Sequence, residues 1–248
     1  MMPRVHLDPR AIIRTMTVAL IVLCVGHLLT QYAKYRLGVP HAYGLVPLFD
    51  MDVETNLPSL FAGFQLLFCS LALALIGSVR RQMNDPYARH WLILSVIFLM
   101  LAVDELVGIH ELTIRMGWDF APSLASGAFF FVWVIPALVL VGVVALCYVR
   151  FVFSYLPPVT RRRTVVGAAL FVGGALGVEM FEGRHVQVHG MQNLTMGLYV
   201  FFEETMEKAG ILVFLSGLLE YLRSSIGGFL VDVTGTKNEE ELDARSSV

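Results

Sequence analysis

Six long apolar runs, at about 11–33, 58–78, 90–112, 126–149, 164–183 and 194–222, constrain first what this chain can fold into. Each approaches or exceeds the ~20 residues that a helix needs to cross ~30 Å of hydrocarbon. Lipid offers no hydrogen bonds, so a crossing segment must satisfy its own backbone. The alternation of a membrane barrel is absent, which leaves helices. Only 15% of the 248 residues are charged, against about a quarter in soluble domains. The sequence therefore predicts an all-α integral membrane protein. Residues 1–226 form a six-helix transmembrane bundle, and 227–248 form a polar tail with acids at Glu239, Glu240, Glu241 and Asp243.

The punctuation agrees. Asn56-Leu57-Pro58 opens the second run, and Asn84-Asp85-Pro86 and Pro157-Pro158 separate later ones. Pro136 falls inside the fourth run and predicts a kink there. Met1–Arg14 is basic like the start of a secretory signal. The run behind it extends to about Ala33, too long for an h-region of about 7–15 residues, so it reads as a retained first span.

Basic residues set the expected orientation. Arg4, Arg10 and Arg14 precede the first span; Arg80, Arg81 and Arg89 join the second to the third. Arg150 and Arg161–Arg163 join the fourth to the fifth, and Arg223 follows the sixth. The alternate connectors carry Lys34 and Arg36 beside Asp50, Asp52 and Glu54, then only Arg115, then only Arg184. By the positive-inside rule both termini are cytoplasmic, and a bacterial inner membrane is the expected location. No basic block with interleaved aromatics marks a nucleic-acid partner; the lipid bilayer is the expected one. Cys24, Cys69 and Cys147 lie in apolar runs without CxxC spacing and read as small hydrophobes.

Function is concentrated in acids that lie where lipid is expected. They fall in Asp104-Glu105…His110-Glu111, Glu179…Glu182…His185…His189, and Glu203-Glu204…Glu207-Lys208. An ionised side chain at bilayer depth costs about 2.5–3.5 kcal/mol on insertion scales, so such residues pair, bind a cation or line a wet path. From the inner ends of their spans, Asp104 lies ~21 Å and Glu179 ~22 Å along; Glu203–Glu207 lie ~14–20 Å below the outer start of the sixth. Asp50–Asn56 approaches from an outer connector. All four elements therefore reach the outer half of the membrane. Asp104 and Glu111 fall within ~20° on one helix face. Glu179 and Glu182, and Glu182 and His185, are i,i+3 pairs; His185 and His189 are i,i+4 if the helix continues through Gly183.

Glu182-x-x-His185 is the spacing of carboxylate-bridged di-iron helices. Together with Phe202-Glu203-Glu204 it resembles a fragment of the alternative-oxidase type of membrane di-iron protein, whose second Glu-x-x-His is missing here. Asp52-Val53-Glu54-Thr55-Asn56, Val103-Asp104-Glu105 and His185-x-x-x-His189 resemble the alkaline ceramidases and related membrane zinc hydrolases, without their Ser-x-x-x-His. The whole arrangement is similar to bacterial multi-pass membrane proteins with an Asp-Glu…His-Glu span and a Glu-Glu-x-x-Glu span, a resemblance that implies no activity.

Three functions remain open at this stage. The first is a membrane metalloenzyme, a di-iron oxidoreductase or zinc hydrolase, acting on a lipophilic substrate. Its divalent ion (Fe, Zn or Mn) would be held by Asp104, Glu111, Glu182, His185, Glu204 and Glu207, with Glu179, Glu203 and His110 as acid/base groups. The second is a proton-coupled transporter or cation channel using the same carboxylates. The third is an accessory subunit of a larger membrane complex. The blander readings are an ion-pair network on Lys208 and Arg184, a hydrogen-bonded packing role for His27, an interfacial His90, and close intramolecular packing at Gly173-x-x-x-Gly177.

Overall fold

A computed structural model describes residues 8–110, 112, 119 and 123–227 of the chain. Glu111 and the tail beyond Gly227 lie outside these. Among the described residues the regular structure is helical, with no strand: α1 Pro9–Arg36, α2 Leu45–Phe49, α3 Leu57–Gln82, α4 Ala88–Val107, α5 Val134–Arg150, α6 Pro158–Val172, α7 Glu179–His189 and α8 Leu194–Tyr221. A π-helical stretch, Gly173–Val178, joins α6 to α7 in one rod, and two more extend α5 over Phe151–Tyr155 and α8 over Leu222–Ile226. Six of the resulting helices are long and apolar enough to cross a membrane.

Local chemistry explains the boundaries. Asn56 caps α3, accepting from Ser59 N while Ser59 Oγ accepts from Asn56 N, and Pro58 occupies the first turn, where its missing N–H costs nothing. Asn193 caps α8 by accepting from Met196 N. Gly108 stops α4 in the left-handed conformation, φ 70°. The third span therefore ends at Val107, not 112, and the expected alignment of Asp104 with Glu111 lies outside the described residues. The fourth span also starts later than expected, at Val134. Pro136 then falls in the first turn of α5, where proline is accommodated, and not at an internal kink. The fifth span does continue through Gly183, which brings the His185 and His189 rings to a stacked 4.7 Å.

α8 is the axial helix, packed against α1, α3, α6 and the Gly173–Val178 turn. Close approach to α6 depends on small residues: a Cβ on Gly210 would meet Phe171 N at 2.6 Å and the Gly167 carbonyl at 2.7 Å. Gly167 and, within the expected Gly173–Gly177 stretch, Gly174 make the most intimate contacts; a Cβ on Gly173 would meet Met206 Cε at 3.2 Å, and nothing lies within 4 Å of one on Gly177. α3 and α4 pair through Gly63 on Leu106 and Gly77 on Leu92, with Ser70 and Ser95 each donating to the other's carbonyl at 2.8 and 2.9 Å. Cys69 is buried, Cys24 sits 3.4 Å from Thr205 Oγ1, and Cys147 is exposed on α5.

The helices alternate in direction, so the bundle has an acidic end, bearing the connectors after α1, α4 and α7, and a basic end. Towards the basic end a core of Cys69, Leu73, Ile76, Trp91, Phe151, Leu215, Leu218 and Tyr221 is sealed by large side chains. A second cluster, including Leu23, Met51, Phe131, Val134, Val186 and Met196, surrounds the acidic end.

Candidate functional site: a carboxylate chain from the acidic end to Lys208

The polar groups begin in the connector between α1 and α3. Asp50, 4% exposed, accepts from Gln31 Nε2 at 2.7 Å and from Lys34 Nζ at 3.4 Å. His27 is fully buried; its Nδ1 accepts from Met51 N at 3.0 Å, which leaves Nε2 to donate to the Gly197 carbonyl at 3.0 Å. Both ring nitrogens are satisfied, so His27 fastens this connector to the start of α8 as a packing residue.

Beyond the Gly108 stop, His110 folds back on Asp104. Its backbone N–H donates to Asp104 Oδ1 at 2.9 Å, and its Nδ1 lies 3.1 Å from Oδ2. Its Nε2 faces Glu54 at 3.6 Å, and the Glu54 carboxyl lies directly over Gly108, where a Cβ would strike it. Burial works against a charge on His110. The hydrogen bond and charge of Asp104, aided by Glu54 and Glu179, outweigh it and lift the imidazole to about 9. The ring also lies 5.5 Å from that of Trp133, whose indole N–H donates to Glu179 Oε1 at 2.6 Å.

Deeper, the acids outnumber their partners. The π-helical stretch that precedes α7 is a single-turn insertion of a kind frequent at functional sites. It delivers Glu179 and Glu182 to the interior, 7% and 3% exposed. Glu179 Oε2 and Glu182 Oε1 are buried without a hydrogen-bond partner. Across the interface Glu182 hydrogen-bonds Glu203, which also feels the charges of Glu207 and Glu179. Gly174 permits this: a Cβ there would meet the Glu203 carbonyl at 2.7 Å and Glu207 Cγ at 2.9 Å. Glu207 in turn lies within electrostatic reach of Glu105. Glu105 lies 3.9 Å from Lys208 Nζ, and Lys208, 1% exposed, donates to Glu204 one turn back.

The candidate residues separate into three groups. Asp104 and His110 pair at the mouth; Glu179, Glu182, Glu203 and Glu207 cluster between α7 and α8; Glu204 pairs with Lys208. His185 belongs to none of them. Its Nε2 meets Asn193 Oδ1 at 3.0 Å and its ring stacks on His189, so it braces the turn into α8. Among the described residues no three His, Cys, Asp or Glu side chains converge in a geometry able to hold a metal ion. The six expected ligands are dispersed: only Glu182 and Glu207 share a group, and Glu111 falls outside the described residues. Arg184 is exposed on α7.

Trp133 and Gln65 escaped the sequence reading. An indole N–H in an apolar run needs an acceptor, which was a usable signal for Trp133. Gln65 is fully buried with both amide atoms unpartnered, and Gly63 against Leu106 sets it level with Glu105.

The family described as "Domain of unknown function (DUF8692)" matches residues 15–222. The chain belongs to this family. The DUF8692 match begins inside α1 and ends just past α8, so it takes in all six spans and every carboxylate of the chain described above. No curated protein and no solved structure matches this DUF8692 chain. Its likeness to di-iron oxidases and ceramidase-type hydrolases thus rests on short motifs alone.

Proposed function

We propose that this protein is a proton-coupled membrane carrier that takes up protons at its acidic end and passes them along buried carboxylates to Lys208. The observation that carries this reading is the succession Glu54, His110 (paired with Asp104), Glu179, Glu182, Glu203, Glu207, Glu105, Lys208 and Glu204. Each member lies within electrostatic reach of the next, and Lys208 is the single lysine or arginine in the succession. Removing several carboxylates from water without matching cations is prohibitive unless some hold protons or a cation.

The apolar core below Lys208 supports a half-path and not an open pore. Phe98 stacks on Phe214 at 4.8 Å, and Leu215, Leu218 and Trp91 close the section beneath. A path open on one side only is what alternating access requires. The arginines of the other end support its assignment to the cytoplasm, which puts uptake on the extracytoplasmic side.

Purified protein in liposomes with an entrapped pH dye tests the reading. An imposed pH gradient should drive proton entry that Glu182→Gln and Glu203→Gln largely remove, while Glu220→Gln, outside the chain, retains it. Stoichiometric Fe, Mn or Zn lost in Glu182→Gln, with no proton movement, would replace the carrier by the metalloenzyme.

A further inference from the structure

At the basic end, far from the carboxylates, a cleft of about 890 Å³ opens between the start of α1, the start of α6 and the end of α8. Arg10, Arg14, Arg163 and Arg223 line it, with Asp8 and Glu220. Both acids are engaged: Asp8 accepts from Arg10 N as the cap of α1, and Glu220 takes Arg223 at 2.9 Å. Arg163 is fixed in the wall by donating to the Ser216 carbonyl at 2.8 Å. Arg10 and Arg14 are exposed. The cleft is left with surplus positive charge at the level where a bilayer places its headgroups.

A second cavity, of about 570 Å³, shares Val159 and Arg163 with the first. It continues along Val166 and Val213, with Arg162 at its rim. An arginine-lined mouth leading into an apolar groove between membrane helices has the shape of one molecule: a phosphate-bearing head with an acyl chain behind it. A free phosphate has no use for the groove, and a neutral lipid none for the arginines. Basic pockets between helices on the cytoplasmic side are where anionic headgroups bind.

We propose that this cleft is a binding site for an anionic phospholipid, with the phosphate held by Arg10, Arg14, Arg163 and Arg223 and an acyl chain along Val159, Val166 and Val213. The site is separate from the carboxylate chain and does not depend on what that chain does.

Native mass spectrometry of the full-length protein, titrated with phosphatidylglycerol or phosphatidylcholine in micelles, tests this. Preferential retention of phosphatidylglycerol is expected. The Arg10→Gln/Arg14→Gln variant should weaken it by roughly 25-fold, as each arginine near a charged headgroup contributes about five-fold. Arg81→Gln, a charge loss outside the cleft, should retain it, and an unchanged melting temperature in phosphatidylcholine shows that the double variant is folded. Should that variant unfold, Arg223→Gln, which removes another of the proposed phosphate ligands, provides the same comparison. Equal retention of both lipids, insensitivity to the arginine changes, or full displacement of the lipid by millimolar inorganic phosphate would each overturn the proposal.

Discussion

Lys208 is the buried cation among the carboxylates of α4 and α8. It is 1% exposed, touches Glu204 and lies 3.9 Å from Glu105. Removing one partner of a buried ion pair costs about 3–5 kcal/mol because the other charge is left uncompensated. Lys208→Met should therefore destabilise the protein by about that amount in detergent denaturation, and adding Glu204→Gln should restore part of the loss. Additive effects of the two changes would show that the pair contributes nothing. At the mouth, His110 gives a pH signature. Its folded value is raised to about 9 from an ordinary ~6.5, so its pairing contributes stability that is complete below about pH 6.5 and is lost as the pH rises through about 9. The melting temperature should fall across that window, and His110→Gln should flatten the fall; parallel curves would contradict the assignment. The locations of these residues were legible in the sequence, because acids in apolar runs are conspicuous. Their partners were not. His185 has ligand spacing from Glu182, yet it is bound by Asn193, which also caps the next helix. Spacing along one helix cannot disclose what a neighbouring turn offers.

At the scale of the helices, close packing of α8 on α6 positions Glu203 and Glu207 against Glu182. Gly210→Ala would drive a Cβ into backbone atoms at 2.6 and 2.7 Å, which cannot move aside as a side chain can. It should cost about 1–3 kcal/mol in thermal or denaturant unfolding. Gly142→Ala in α5, where nothing lies within 4 Å, should be neutral or stabilising by up to about 1 kcal/mol. The same response from both would remove the argument for intimate α6–α8 contact. Hydropathy located all six spans because lipid accepts no other solution. It placed the ends less well at three of them: the fifth runs over Pro158–His189 and not 164–183, the third stops early and the fourth starts late. Gly108 and Pro136 govern the last two through φ and a missing N–H, local effects that an apolar run of residues 90–112 or 126–149 conceals. The π-helical stretch before α7 was invisible for a related reason: its insertion is stabilised by contact across Gly174, not by its own composition.

For the molecule as a whole, the sequence anticipated that segments remote in the chain would bring acids to a common depth, and α4, α7 and α8 do so. The described members of the expected ligand set fall into separate groups, because a helix face fixes direction only, and the rotation of each helix about its axis is decided by packing. A whole-molecule consequence is that charge is segregated lengthwise, with acids entering from one end, arginines guarding the other and an apolar seal between them. Carboxyls held away from water without cations must keep protons, whereas carboxylates on a metal must not. Infrared spectra of the reconstituted protein at neutral pH separate these states directly through the C=O stretch of protonated carboxyl groups. The account predicts such a band, diminished in Glu182→Gln and in Glu203→Gln and unaffected by chelators. A spectrum without it, or one in which it emerges only after a chelator has stripped metal from the protein, would contradict a proton-bearing carboxylate chain.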